Sequence, residues 1–171
     1  IVDEVGPRKG ATPEEQAQLD AILGNAYFRL GYNANRFFDY DRAIENYKIL
    51  ADSDRFTKST SPQTAEWREG ALINAAKILE YQQQYERASQ YYKRAADTLR
   101  DANEKRAAYF RVAEMSFKLK QWPRALRDMK DFITRYSADK GAGELLVEAY
   151  WRIAEIKRLS GATKEYDPAL R

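Results

Sequence analysis

A six-residue pattern that recurs four times along the chain constrains its fold more than any other sequence feature. Each copy reads polar, aromatic, two variable residues, alanine and one variable residue. The copies are 39–44, 84–89, 121–126 and 165–170, and their alanines are spaced 45, 37 and 44 residues apart. A spacing of this size is typical of proteins that stack one small helical or strand unit on the next.

A second repeated segment precedes the copies of this pattern. Ala108–Met115 and Ala149–Ile156 are identical at five of eight positions. Apolar residues recur three and four positions apart in such segments, as at Leu72, Ala75 and Leu79, which is the period of an amphipathic helix. The sequence therefore predicts an all-α fold. The predicted helices span about 14–31, 40–52, 62–83, 85–100, 104–120, 123–136 and 143–160.

Proline and glycine mark several of the predicted helix ends. Ser61 places a capping hydroxyl ahead of Pro62 at the first helical position, and Pro123 takes a similar early position in a later helix. Gly31 and Gly161 stand where the first helix of a pair should stop, because glycine tolerates the left-handed conformation of a helix cap.

With these features the chain resembles the tetratricopeptide repeat (TPR) family. Leu23–Gly31 followed by Asp39–Tyr47 is similar to the family's helix pair, with Tyr32–Phe38 inserted between the two helices. The resemblance implies a right-handed α-solenoid of about three and a half helix-turn-helix units. Residues 1–13 would then be a flexible linker. The TPR domain of residues 14–171 would comprise units at about 14–55, 62–101, 104–137 and 143–171, the last truncated in this sequence.

Small residues stand where the two helices of each unit are expected to cross. Close crossing requires small side chains at the contact. The predicted crossing residues are Gly24, Ala76, Ala113 and Ala154 in the first helices, and Ala43, Ala88, Ala125 and Ala169 in the second helices. Their separation is 12 in the middle two units, 19 in the first and 15 in the last. The Tyr32–Phe38 insertion is either a longer helix packed on itself, which we favour, or a partner-contacting loop.

Composition removes most catalytic and nucleic-acid-binding alternatives. The 171 residues include no His and no Cys, so a His-dependent triad, a thiolate nucleophile, a zinc finger and a disulfide are excluded. The 29 basic and 26 acidic residues are interleaved and leave a net charge of only +3. The longest uncharged run, Ala21–Phe28, is far shorter than the roughly 20 residues that span a bilayer. We predict no enzyme activity, no cofactor, no metal, no nucleic-acid partner and no membrane insertion.

The resemblance also implies a concave groove lined by the first helix of each unit. Its expected residues are Ile22, Asn25, Phe28 and Arg29, then Ile73, Asn74, Lys77 and Tyr81, then Phe110, Arg111, Glu114 and Phe117, and finally Trp151, Arg152, Glu155 and Arg158. Peptide-binding members of the family use Asn at the sites of Asn25 and Asn74, and Arg at the site of Arg111. The pairs 111/114 and 152/155 are either solvated ion pairs on one helix or ligand contacts. Both alternatives stay open.

These features favour a non-enzymatic scaffold that binds a peptide or partner helix carrying an apolar anchor and a carboxylate. The alternative is a structural spacer or self-assembly module that uses its stacking ends, with self-association through residues 145–159. RNA binding comes third, because the unequal repeat spacing does not suit a reader of one base per repeat. The basic clusters at Lys93–Arg94 and Arg124–Arg127 are each followed by acidic residues, and we interpret them as solvated helix faces.

A further resemblance concerns the linker between repeats. Phe132–Ser137, followed by Glu148–Glu155, is similar to the corresponding segment of bacterial envelope TPR proteins of the Tol-Pal-associated and β-barrel-assembly-associated kinds. This similarity implies a periplasmic location within an envelope complex. A cytoplasmic location remains the alternative.

Overall fold

The computed structural model describes residues 2–161, and within this range the chain is all-α, as predicted, with no β-strand. In the described part of the chain, nine α-helices and one short 3-10 helix follow one another. They are α1 (Val2–Val5), α2 (Pro13–Arg36), α3 (Tyr40–Asp52), α4 (Asp54–Thr57), α5 (Pro62–Tyr81), α6 (Tyr85–Thr98), α7 (Ala102–Lys118), α8 (Trp122–Tyr136), the 3-10 helix Lys140–Ala142 and α9 (Gly143–Leu159).

Each of the seven predicted helices is present, and three short ones were not foreseen. These are α1, α4 and the 3-10 helix. The first of them lies in the segment that the sequence assigns to a flexible linker. There the carbonyl of Gly6 accepts a hydrogen bond from Arg55 of α4, and the amide of Gly10 donates to the Gln16 side chain of α2 at 2.9 Å. Local contacts therefore tie this segment to α2 and α4.

The predicted helix ends are confirmed at three places and wrong at one. The hydroxyl of Ser61 accepts a hydrogen bond from the Thr64 amide at 3.3 Å at the start of α5, and Pro123 lies in the first turn of α8. Gly161, just after α9, has a φ of +73°. Gly31 does not end a helix, because α2 continues through it to Arg36.

The segment predicted to be an insertion is the last turns of α2 and the turn that follows. The helical alternative is therefore confirmed as far as Arg36. The favoured packing of its aromatic residues is wrong, since Tyr32, Phe37 and Phe38 are all exposed. Between α2 and α3 only residues 37–39 are outside a helix.

Three turns of this length repeat along the chain with the same backbone conformation. They span residues 37–39, 82–84 and 119–121, and their middle residues Phe38, Gln83 and Lys120 have φ values of 62°, 59° and 56°. The amide of each middle residue donates to the carbonyl three positions earlier at 2.9 to 3.0 Å. A residue with the left-handed backbone conformation after a helix is usually Gly or Asn. In these three turns the position is occupied by Phe, Gln and Lys instead.

The observed length of α2 changes which small residue precedes the first turn. Gly31 lies 12 residues before Ala43, the same spacing as in the middle two units. A Cβ atom at Gly31 would lie 2.7 Å from Cε1 of Tyr47 in α3, whereas one at Gly24 would lie 3.5 Å from Leu50. Of these two glycines, Gly31 therefore has the tighter contact with α3, and the predicted crossing residue Gly24 has room for a methyl group.

The other predicted crossing residues are mostly buried. Ala43, Ala76, Ala88, Ala113 and Ala125 have almost no exposed surface. Ala154 is exposed, and its predicted partner Ala169 lies outside the described residues, so this last crossing stays a prediction.

The chain divides into two compact units, which meet in sequence between Gln83 and Gln84. In unit 1, α3 packs against both α2 and α5, and its core includes the fully buried Tyr47, Leu50, Leu72 and Leu79. In unit 2, α7 packs against α6 and α8, and α8 packs against α9. The core of unit 2 includes Phe110, Met115, Met129, Phe132 and Ile156.

Two glycine substitutions in the same helix test where α2 and α3 approach each other. Gly31→Ala should lower the free energy of unfolding by about 1–3 kcal/mol, because the buried ring of Tyr47 leaves no room for a Cβ atom. Gly24→Ala should raise it by about 0.5–1 kcal/mol, because alanine favours the helix and only ordinary contacts await its methyl group. Urea unfolding followed by circular dichroism measures both. If Gly24→Ala lowered the free energy of unfolding more than Gly31→Ala does, Gly24 would be the crossing residue, as the sequence predicts.

Candidate functional site

Residues from α7 and α9 converge on one side of unit 2, and we call them the Arg152 cluster. The cluster comprises Arg111, Glu114 and Phe117 of α7, and Glu148, Trp151, Arg152 and Glu155 of α9. Spacings of three and four residues place such side chains on one face of a helix. All of them except Glu148 are groove residues expected from the sequence, so the fold brings these six together.

Glu114 links the two helices of the cluster. Its carboxylate accepts a hydrogen bond from Nη1 of Arg111 at 2.7 Å and another from Nη2 of Arg152 at 3.2 Å. The Glu114 side chain is only 7% exposed. Of the two alternatives for these charges, the solvated pair on one helix does not describe Glu114, because its carboxylate is buried and joins α7 to α9.

Arg152 is held by charges and by rings. Its guanidinium donates to Glu155 at 2.9 Å and lies 3.8 Å from a carboxylate oxygen of Glu148, in addition to its bond with Glu114. The guanidinium carbon lies 4.8 Å from the ring centroid of Phe117 and 4.9 Å from that of Trp151. Stacking on two aromatic faces adds cation–π attraction to the ion pairs. Arg152 therefore fixes the position of the Trp151 ring. Trp151 as a whole residue is nevertheless 57% exposed.

Phe110 is not part of this surface. It is 3% exposed, and its ring packs edge-on against Phe132 of α8 with centroids 5.4 Å apart. Successive helical residues differ by about 100° around the axis, so a residue next to Arg111 in sequence faces a different neighbour. The predicted groove position of Phe110 is thus corrected to a core position.

In unit 1, three of the predicted groove residues, Ile22, Asn25 and Arg29, border a shallow depression. Ile22 and Asn25 line a volume of about 430 Å³ between α2 and α5, together with Arg29 and Trp67. Asn25 accepts a hydrogen bond from Nε of Arg29 at 2.7 Å, so its carbonyl oxygen already has a partner. Phe28 is half-buried, and its ring packs 5.1 Å from that of Trp67.

Trp67 was not among the expected groove residues. It stands four residues before the buried Ala71 and eight before the buried Ala75, so the apolar period of α5 placed it on the packed side of the helix.

The remaining predicted residues of unit 1 lie on α5. Lys77 is exposed and Ile73 is half-buried. Asn74 donates a hydrogen bond from Nδ2 to the hydroxyl of Tyr47 at 3.3 Å. The amide of Asn74 is therefore engaged with the core of unit 1.

Burial raises the pKa of Tyr47 above its ordinary value of 10.0, and the hydrogen bond from Asn74 offsets part of this rise. Since the folded pKa is the higher one, the unfolded chain loses the phenol proton first as the pH increases. The contribution of Tyr47 to stability is therefore complete below pH 10 and is lost as the pH rises through the folded pKa.

Tyr47→Phe should therefore reduce the loss of stability between about pH 9 and about pH 11, because the variant has no phenol to ionise. At neutral pH it should cost about 1 kcal/mol through the lost hydrogen bond with Asn74. Urea unfolding at several pH values measures both effects. Tyr150→Phe, at an exposed tyrosine, is the control and should follow the unmodified protein throughout.

Replacing Glu114 tests whether the Arg152 cluster is a buried network. Glu114→Gln should lower the free energy of unfolding by about 1–3 kcal/mol, because Arg111 and Arg152 lose a shared and largely desolvated carboxylate. Glu66→Gln, at an exposed position of α5, should change it by less than about 0.5 kcal/mol. Equal effects in chemical unfolding would mean that Glu114 has no special role in joining α7 and α9.

Comparison of the chain with models of known protein families and with curated proteins gave no match. None of the helices within residues 2–161 has the length and apolar character needed to traverse a bilayer. In the same range, no cluster of three or more His, Cys, Asp or Glu side chains is arranged to hold a metal ion.

Proposed function

We propose that this chain is a non-enzymatic interaction scaffold of the TPR type, and that its Arg152 cluster binds a peptide or helix of a partner protein. One observation carries the proposal: Trp151 is 57% exposed, yet Arg152 holds its ring in place. Trp, Tyr and Arg are the residue types that most often dominate the binding energy of protein interfaces, and here an exposed Trp lies next to an Arg.

The rigidity of the cluster supports binding. A mobile side chain loses rotamer freedom when a partner orders it, at a cost of about 0.5–1.5 kcal/mol per side chain. Trp151 is already stacked on Arg152, and Arg152 is fixed by its carboxylate partners on two helices. The rotamer freedom of these two side chains is therefore already lost on folding, so binding a partner causes little further loss of entropy.

The surroundings of Trp151 indicate the chemistry of the partner. Val147 and Tyr150 are exposed on the same helix and extend its apolar surface, so the partner should present an apolar anchor. The Arg111 side chain is 48% exposed. A guanidinium carries five N–H donors, so Arg111 can bind a partner carboxylate while it keeps its bond with Glu114.

Two repeated features support the TPR type. The three short turns share one left-handed backbone conformation at their middle residue. A small residue also stands 12 positions before the alanine of each following helix, at Gly31, Ala76 and Ala113. A chain whose helix pairs recur in this way is suited to repeat stacking.

Self-assembly is the second candidate function, and a specific surface favours it. Val147, Tyr150, Trp151 and Ala154 are all exposed and share one stripe of α9, by their spacing of three and four residues. A second copy of the chain can cover this stripe. Sedimentation velocity over a range of concentrations separates the two functions, because only self-assembly predicts a dimer that Trp151→Ala dissociates.

Selection from a displayed peptide library tests the scaffold function directly. Selected peptides should carry an apolar anchor and a carboxylate, and Trp151→Ala should weaken their binding by about 2 kcal/mol or more. Arg111→Ala should cost about 1–3 kcal/mol and reduce the salt dependence of binding. Phe37→Ala, at an exposed aromatic residue in unit 1, is the control and should leave calorimetric affinity unchanged. Full binding by folded Trp151→Ala would contradict the proposal.

A further inference from the structure

Two basic clusters of the sequence, interpreted above as solvated helix faces, border the same cleft in unit 2. The cleft has a volume of about 500 Å³ and is lined by α6, α7 and α8. Lys93 lines it from α6, and Arg124, Arg127 and Arg135 line it from α8. We infer that this cleft, which we call the α6–α8 cleft, binds an acidic peptide segment of a partner protein.

The charges of the cleft are unbalanced. Besides these four cations, its lining contains two carboxylates, those of Asp128 and Asp131, which leaves a net formal charge of +2. Two of the cations are neutralised locally. Arg124 donates to both carboxylate oxygens of Glu86 at 3.0 and 3.1 Å, and Arg127 lies 3.5 Å from Asp128.

Lys93 and Arg135 are the two cations that remain, against the single remaining carboxylate of Asp131. Within residues 2–161, neither has a carboxylate at ion-pair distance, although Asp131 lines the same cleft. The two side chains come from different helices, α6 and α8, so they approach the cleft from separate walls. The acidic residues four positions after Lys93 and Arg135 are engaged elsewhere, since Asp97 accepts a hydrogen bond from Tyr109 and Asp139 pairs with Arg106. Carboxylates of an incoming segment would supply the missing partners.

The position of Arg135 is fixed before any ligand arrives. Its guanidinium carbon lies 4.5 Å from the ring centroid of Tyr109 in α7. The Tyr109 hydroxyl in turn donates to Asp97 of α6 at 2.8 Å. Stacking therefore holds one of the two unpaired cations against the wall of the cleft, where it can present its planar group to a carboxylate.

The remaining lining gives the segment a second requirement. Val112 and the largely buried Phe132 also line the cleft and add apolar surface to the ring of Tyr109. A cleft of this size lies within the range of about 300–1,000 Å³ typical of ligand sites, which is enough for a few side chains. The segment should therefore combine acidic residues with at least one apolar residue.

The cleft is separate from the Arg152 cluster. Tyr109 and Val112 lie on one side of α7, whereas Arg111 and Glu114 lie roughly opposite, by the period of 3.6 residues per turn. The proposal therefore does not depend on the function assigned to the cluster.

Fluorescence anisotropy with a labelled peptide of repeating Glu-Glu-Leu triplets tests this inference on the full chain. The peptide should bind with an affinity that falls as salt increases, and the matching Lys-Lys-Leu peptide should not bind. The double variant Lys93→Glu/Arg135→Glu should weaken binding about tenfold or more. Lys130→Glu/Lys140→Glu carries the same change in net charge at exposed positions outside the cleft, and should bind within about twofold of the unmodified protein.

A milder variant and a map of the site complete the test. Lys93→Gln alone removes the positive charge of a side chain that forms no ion pair with the described residues. It should weaken peptide binding severalfold and leave the circular dichroism spectrum unchanged. Amide chemical shifts should change in α6 and α8 when the peptide binds. No peptide binding, equal losses in both double variants, or shift changes centred on Trp151 would overturn the inference. Equal binding of a single-stranded RNA with the same dependence on Lys93 would overturn it as well, since the occupant would then be a nucleic acid.

Discussion

The length of the turn between paired helices is the constraint on which the rest of the structure depends. A connection of three residues leaves no freedom to separate the two helix axes near the turn, so a side chain on the inner face must be small there. Within the two units, Gly31 and Ala113 each stand five residues before the end of their helix, and Ala43 and Ala125 each stand three residues after the start of the next. At Gly31 the space is filled by the ring of Tyr47, whose hydroxyl then meets Asn74 of α5. Tyr47 of α3 thus contacts both α2 and α5.

Helical periodicity and capping chemistry predicted most of the fold from the sequence, but they could not place the end of α2. The pairs Leu23–Gly24 and Leu30–Gly31 are seven residues apart, which is close to two helical turns. Both glycines therefore share a face of α2, and the local pattern is the same around each. What separates them is the distance to the turn, which sequence periodicity does not report. The short helices α1 and α4, of four residues each, are too brief to show a period at all.

The candidate site was predicted in part for a related reason. The face of α7 that carries Arg111 and Glu114 and the face of α9 that carries Arg152 and Glu155 follow from helical spacing, so most members of the Arg152 cluster could be named from the sequence. The cross-helix bond between Glu114 and Arg152 could not be predicted from the sequence. A spacing of three residues between opposite charges is the same whether the carboxylate pairs only within its helix or also with another helix. The convergence of Lys93 and Arg135 was hidden in the same way, since it depends on how α6 and α8 lie against α7.

The position of α7 between two different surfaces has a thermodynamic consequence. One side of this helix contributes Glu114 and Phe117 to the Arg152 cluster, and the other contributes Tyr109 and Val112 to the α6–α8 cleft. A shift or rotation of α7 therefore alters both surfaces together. Linkage requires that any change which occupancy of one surface makes in the affinity of the other is matched by an equal change in the reverse direction. Binding of one partner on one side of unit 2 would then change the affinity for a second partner on the opposite side, with α7 as the element that couples them.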